Sequence, residues 1–292
     1  MRIQLLNGGL GNQLFQYIFV RFAERYCPDE TWYFDDSAFF IMDQHNGYEL
    51  EKIWGIKANL LSNYFDPDVW EEIIRLRKEG ATLPQIFLDM GLPLSMVAET
   101  SDYSFNGRIL QIPANEFHPE ITTLKDGDNN LYYHGYWINK HWFAQYQEEN
   151  WAELAFPPLS GPRNCQYAEE INNCLSVGIH IRRGDFITLG WALPEGYYQS
   201  ACKSIAEKYP ESRFFVFTDD VEWCKTNADT LGLNLAPYTI YVSGNDCGRN
   251  YIDAQLLSMC QGIVMSNSSF CYFATLMNKN LKFWVNPTQR EV

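Results

Sequence analysis

The chain has 292 residues, 46% hydrophobic and 16% aromatic, with a formal net charge of −14, ample for one large core or two domains of ordinary size. A pI near 4.8 and the lack of a long basic run exclude nucleic acid, whose affinity comes mostly from Lys and Arg neutralising phosphates. The same acidity suits anionic lipid poorly, so any anionic ligand is small and locally held.

In chain order, Ile3–Leu6 reads as a strand, Gly8, Gly9 and Gly11 as a turn, and Gln13–Tyr26 as a helix. Met1–Asn7 has no apolar stretch of signal-peptide length, and nowhere do about 18 uncharged apolar residues run together. Cytoplasm is the expected compartment, with the inner face of the membrane allowed and no transmembrane segment. The eight cysteines, Cys27, Cys165, Cys174, Cys202, Cys224, Cys247, Cys260 and Cys271, form no CxxC pair and read as reduced, mostly buried thiols.

Thr31–Phe34 is a second strand. Asp66-Pro67-Asp68 starts a helix, with Asp66 at the N-cap, Pro67 at the first position, and Val69, Trp70, Ile73 and Ile74 as one apolar stripe. Residues 80–130 read as loops and short helices. Leu131–Trp137 is a strand, helix follows from Lys140 to Glu149, and Phe156–Pro162 is the clearest linker. Beyond it, strands are expected at 175–182, 213–218 and 261–266, with helices near 196–208, 220–229, 249–260 and 268–277. Such alternation implies parallel sheets covered on both faces. The domains are 1–155 and 163–292.

Ligands of open parallel sheets bind at the carboxyl ends of the strands. Three motifs fall there: Arg182-Arg183-Gly184-Asp185, Thr218-Asp219-Asp220, and Ser266-Asn267-Ser268-Ser269 opening a helix. A helix start offers unsatisfied N–H groups and a positive dipole end. Arg182 or Arg183 adds a permanently charged planar fork suited to phosphate oxygens. Together they make a diphosphate cradle; separately, a serine here is a helix cap and an arginine pair is a surface ion pair.

In Asn7-Gly8-Gly9-Leu10-Gly11-Asn12-Gln13, Leu14 stands where the third glycine of a dinucleotide turn belongs. Spacing alone leaves two readings: a tight turn, or a backbone that a sugar or phosphate approaches with Asn12 hydrogen-bonding it. Asp66-Pro67-Asp68 and Asp126-Gly127-Asp128 are not read as metal sites, because hard cations want several converging oxygens. His45, His118, His134 and His141 show no ligand spacing or triad order.

Several of these segments carry a family resemblance. Gly8-Gly9-Leu10-Gly11-Asn12-Gln13-Leu14-Phe15-Gln16-Tyr17, His45-Asn46-Gly47-Tyr48-Glu49-Leu50, Gly135-Tyr136-Trp137, His180-Ile181-Arg182-Arg183-Gly184-Asp185, Asp253–Cys260 and Ser266-Asn267-Ser268-Ser269-Phe270 resemble the signature segments of bacterial α-1,2-fucosyltransferases, in order over nearly the whole chain. The resemblance implies a GT-B-like α/β fold: two Rossmann-type domains with parallel sheets and a cleft between them, the first on the acceptor side and the second binding GDP-fucose. It implies L-fucose transfer to the 2-hydroxyl of a terminal galactose on an oligosaccharide acceptor, with inversion, no metal and no other cofactor. Arg182 would contact the β-phosphate, supported by Arg183; His180 and Asp253 would hold the guanosine, Ser268 and Ser269 the pyrophosphate, and Asp219 would lie near the nucleotide. Asn12 would face the fucose and acceptor. Where family members commonly carry Ser-Trp-Trp, this chain has Cys271-Tyr272-Phe273.

An inverting transfer calls for a proton acceptor; Asp185, with Glu195 behind it, is the nearest candidate, and orienting Arg182 or Arg183 is its equal alternative. Trp137, Trp191 and Tyr197 are candidate stacking surfaces for acceptor sugars. The competing readings are a fucosyltransferase of other linkage and a non-catalytic protein binding nucleotide sugar or glycan.

Overall fold

The strands of the first half form one five-stranded sheet: β1 (Arg2–Leu5), β2 (Trp32–Asp35), β3 (Leu94–Ala98), β4 (Ile109–Gln111) and β5 (Asn130–His134), in the order β2-β1-β5-β3-β4 with all neighbours parallel. The structure is a computed structural model and describes residues 1–42, 45–99, 105–113, 116–246 and 248–287. The chain divides into two compact units, Met1–Ala155 and Phe156–Val292. Cys247 and the last five residues of the expected second domain lie outside the described residues.

In the first unit all four residues of β1 are buried, as covering on both faces requires. The helix Leu10–Tyr26 lies on one face and buries twelve residues, Gln13 and Gln16 among them. The helices Pro67–Lys78 and Leu83–Asp89 contribute Trp70, Ile73, Ile74, Leu83, Ile86 and Phe87 to a core that also holds Leu5, Met96 and Tyr132. Val69, expected in that stripe, is turned outward, and the Asp66 side chain makes no cap bond.

Residues 80–130 hold two strands, β3 and β4, that were expected as loop. β3 is Leu-Ser-Met-Val-Ala, buried throughout, so it lacks the polar alternation that marks a half-exposed strand. The helix expected from Lys140 to Glu149 is two helices, Lys140–Ala144 and Gln147–Glu153. The Asn150 amide donates to Phe143 O at 2.9 Å across the break, joining the two helices.

The second unit has its own parallel sheet: β6 (Ser176–Ile181), β7 (Arg213–Thr218), β8 (Tyr238–Tyr241), β9 (Gly262–Val264) and β10 (Phe283–Val285), in the order β10-β9-β6-β7-β8. The three strands read from sequence are β6, β7 and β9. The two missed, β8 and β10, are short edge strands with exposed aromatics, Tyr238 and Trp284. A helix, Pro162–Asn172, also starts inside the expected linker, after Gly161 at φ 87°.

β6 is central and apolar, with Val177, Ile179 and Ile181 in the core. Its Gly178 has a packing reason. A Cβ there would run into Leu257 Cδ1 and lie 3.3 Å from Cys260 Sγ, so the missing side chain lets the segment ending in the helix Tyr251–Leu257 settle on the strand.

Candidate active site

Strand order reverses between β6 and β9, because the chain runs β6-β7-β8 one way and places β9 and β10 on the other side. Ligands of such sheets bind in the crevice at that reversal, beyond the carboxyl ends. His180 forms its floor, only 6% exposed, with Nδ1 and Ser266 Oγ 2.7 Å apart. Burial, with Arg182 beside it, pushes the imidazole down to about 3, so it is neutral at physiological pH. Ser266 Oγ accepts Ser268 N–H at 3.2 Å. The hydroxyl thus holds both the helix start and the imidazole in place.

The adjacent arginines diverge. Register pairs Ile181 with Thr218, so the next residues, Arg182 and Asp219, meet at the sheet edge. Arg182 Nη1 lies 3.0 Å from Asp219 Oδ2, and Nη2 donates to Asp185 Oδ1 at 2.6 Å. Asp219 Oδ1 also accepts Arg183 N–H at 2.9 Å. Arg183 points the other way: Nε donates to Asp220 Oδ2 at 3.2 Å, and its guanidinium lies 3.3 Å from the Trp223 ring centre. Gly184 makes this possible, since a Cβ there would be 2.7 Å from Asp219 Oδ2. The fork of Arg182 is thus aimed by two carboxylates, hydrogen-bonded to Asp185 and ion-paired with Asp219.

On the β9 side, Ser268 is the N-cap of the helix Ser269–Leu276 and its Oγ accepts Phe270 N–H at 3.3 Å. Asn267 Nδ2 donates to Trp191 O at 2.9 Å, tying the loop after Arg182-Arg183 to this helix start. Asp253 sits in the first turn of Tyr251–Leu257, where Asn245 Nδ2 donates to Oδ1 at 2.7 Å. Burial lifts its carboxyl to about 6, against the bond from Asn245 and with Asp246 adding to the rise. The structure therefore gathers His180, Arg182, Arg183, Asp185, Asp219, Ser268 and Ser269 around the strand ends of one sheet, with Asp253 on the helix that packs against Gly178.

In the first unit the reversal lies between β1 and β5. There Gly8 has φ 78°, and a Cβ on it would be 2.6 Å from Asn12 Nδ2, so the glycine admits Asn12. Buried glutamines hold the turn. Gln13 donates to Gly8 O and Gly47 O and accepts Glu49 N–H. Gln16 and Asn7 exchange two bonds of 2.8 and 3.1 Å. Their sequence signal, amides inside an apolar helix, is weak on its own. Beside the turn a cavity of about 190 Å³ is lined by Asn7, Arg77, Leu83, Met96, Tyr132 and His134 among others. Burial holds His134 down at about 4 and neutral.

The three candidate aromatics separate cleanly. Trp137 is buried, stacked on Phe19, with Nε1 donating to Gln4. Tyr197 spends its hydroxyl on Met265 O and Val285 O. Trp137 is therefore structural, while the half-buried Tyr197 is fixed to the sheet through its hydroxyl. Trp191 is 57% exposed beside the arginine loop. Glu195 is exposed at the start of Glu195–Lys208. Cys271, Tyr272 and Phe273 are buried, so the departure from Ser-Trp-Trp falls in the core. The seven described cysteines are free thiols. Asp126 is engaged by Ser95, Arg108 and Asn129. Among the described residues, no helix is long and apolar enough to cross a membrane.

Comparison with known proteins gives this arrangement its context. The chain is 24% identical over 291 residues to an α-1,2-colitosyltransferase of Escherichia coli, covering 97% of this chain and 90% of that one. It is 28% identical over 109 residues to the galactoside α-(1,2)-fucosyltransferase 2 of Mus musculus, covering 35% of this chain and 30% of the mouse protein. Its fold is similar to that of the fucosyltransferase NodZ from Bradyrhizobium, with a TM-score of 0.53 at 16% identity, covering 94% of this chain and 91% of that one. The shared architecture is GT-B-like, two Rossmann-type α/β sheets. The sequence model of glycosyl transferase family 11 matches residues 119–289, a span holding every motif at the ends of the second sheet, and the chain belongs to that family.

Proposed function

We propose that this glycosyltransferase moves L-fucose from GDP-fucose to the 2-hydroxyl of a terminal galactose on a glycan, with inversion and without a metal. The observation that carries the reading is Arg182: a guanidinium aimed by Asp185 and Asp219 at the reversal point of a parallel sheet, on the same edge as the helix start at Ser268. Breaking the fucose–phosphate bond leaves charge on the β-phosphate. The uncommitted N–H donors of Arg182 and the N-terminus of Ser269–Leu276 meet that charge. Asp185 acts here as a positioning residue for Arg182, and Asn12 presents its amide to the sugars.

His180, neutral, offers its second ring nitrogen to the nucleoside, and Asp253 accepts from guanosine N–H or hydroxyl groups. The second role requires the carboxylate, and Asp253 holds a proton up to about pH 6. GDP affinity is therefore expected to be level above about pH 6.5 and to fall toward tenfold per unit below pH 6, with Asp253→Asn removing the dependence in a calorimetric titration. In the empty protein the sign is opposite. The raised carboxyl contributes stability that is full below its ordinary value of 3.8 and is lost as pH rises through about 6.

The acceptor's terminal sugar fits the cavity beside the glycine turn. At about 190 Å³ it is somewhat larger than a cavity of about 150 Å³ that holds benzene, the scale of one substituted six-membered ring. Apolar walls suit the C–H face of a pyranose, and Asn7, Arg77 and His134 suit its hydroxyls. Ala38 also lines this space. Ala38→Phe is expected to raise the acceptor KM by about tenfold or more, about 1.4 kcal/mol or more, with the KM for GDP-fucose unchanged.

The reading is tested by GDP release from GDP-fucose across a panel of β-galactosides in EDTA, with the product linkage determined by NMR. Galactoside-dependent release and an α-1,2 product are expected. Release that needs a divalent ion, a different linkage, or binding without release each overturns it. The colitosyltransferase relative favours a second reading in which colitose replaces fucose on the donor, and GDP-colitose in the same panel decides between them.

A further inference from the structure

We propose that Asn245 is the positioning residue for Asp253, fixing one carboxylate oxygen so that the other meets the nucleoside; the inference rests on the role given to Asp253 above. Asn245 lies beyond the carboxyl end of β8, in a loop that turns at Gly244, φ 93°. It belongs to no strand or helix, yet it is only 4% exposed. A buried amide in a loop has to find its hydrogen-bond partners among side chains and neighbouring loops.

The partner it faces is Asn164, in the first turn of the helix Pro162–Asn172 and also buried. The two amides exchange bonds of 3.0 and 3.1 Å. The second N–H of Asn164 goes to Ser160 O at 3.0 Å, and the second N–H of Asn245 goes to Asp253 Oδ1 at 2.7 Å. All four N–H donors of the pair are thereby used, and a fully satisfied buried network is rigid. From outside, Arg163 Nη2 donates to Ser243 Oγ and Arg249 Nη2 to Gly244 O, both at 2.9 Å, which clamps the loop on either side of the turn.

Asp253 receives no other hydrogen bond among the described residues, so Oδ2 is the oxygen left to a ligand. Its surroundings offer little else to favour the carboxylate. The helix Ser269–Leu276, packed against Tyr251–Leu257, carries no charged side chain, and its titratable groups, Cys271 and Tyr272, are buried. On Pro162–Asn172, which also packs there, Arg163 is turned to Tyr167 and Ser243; Cys165 is exposed, and Glu169 and Glu170 lie more than a turn beyond Asn164. In the loop itself Asp246 opposes ionisation. The bond from Asn245 is what works against burial and Asp246 together.

Asn245→Leu keeps a similar volume and removes the donor. It is expected to move the low-pH limb of GDP affinity up by about one pH unit, so that the fall begins near pH 7 in place of about 6. In an Asp253→Asn background the same substitution is expected to change GDP affinity by less than about twofold, because its effect runs through Asp253. Calorimetric titrations between pH 5 and 8.5 read both. A limb that stays where it is in wild type, or an equal loss of affinity in both backgrounds, overturns the assignment. Should Asn245→Leu not fold, the side-chain amide signal of Asn245 in the NMR spectrum of the wild-type chain decides. That signal must titrate with a midpoint near pH 6 and shift on saturation with GDP, and indifference to either overturns the assignment. Wild-type protein whose GDP affinity shows no limb near pH 6 refutes the reading of Asp253 itself, a result distinct from these.

Discussion

Arg182→Lys should lose about 10²–10³ in kcat, roughly 3–4 kcal/mol of transition-state stabilisation, and Arg182→Ala hardly more. A lysine keeps the charge but not the fork, and the fork is what lets the guanidinium stay bonded to Asp185 and paired with Asp219 while other N–H groups reach a phosphate oxygen. A point charge in the same place would be drawn to one carboxylate. The arginine and both partners are partly exposed, so their ion pairs contribute little to stability. The melting temperature of either variant should therefore stay within about 2 °C of wild type, about 1 kcal/mol or less. Half-retained activity in Arg182→Lys, or unfolding in place of inactivity, would remove Arg182 from its proposed role.

Gly178→Val should have the largest effect on folding. Its Cβ would overlap Leu257 Cδ1 and crowd Cys260 Sγ, both in the interior beside the central strand. Overpacking of this kind costs about 1–3 kcal/mol, and the strand preference of valine offsets only part of it. The transition of the second unit should fall by several degrees, at about 2–8 °C per kcal/mol for domains of this size range. Because the helix displaced by the new side chain carries Asp253, GDP affinity should fall with it. Differential scanning calorimetry and a GDP titration read both, and an unchanged melt with normal GDP binding would contradict the packing argument.

The elements legible in the sequence were those whose residues carry their own physical signal. β6 and β7 are apolar runs ending in polar turns, and Ser268 caps a helix as its type and position require. β3 was illegible because full burial erased the alternation, and β8 and β10 because edge strands of three or four residues have too little pattern. At the site, the residue types were readable but their pairing was not. That Arg182 and Arg183 turn apart follows from the register that brings Asp219 and Asp220 alongside, and register is a property of the sheet. His45 was visible only as the first residue of a family segment, and its contact with Gly9, 36 positions away, is made only in the fold. Gln13 and Gln16 look like the polar side of an amphipathic helix until burial shows them pinning the glycine turn.

A crystal structure with GDP bound would test the diphosphate cradle most directly, through the distances from the β-phosphate oxygens to the Arg182 guanidinium and to the backbone N–H groups opening the helix at Ser269. Both are predicted to be hydrogen bonds of about 2.7–3.2 Å, with Arg182 still paired to at least one of Asp185 and Asp219. A β-phosphate bound elsewhere, with Arg182 closed on its two carboxylates, would contradict it.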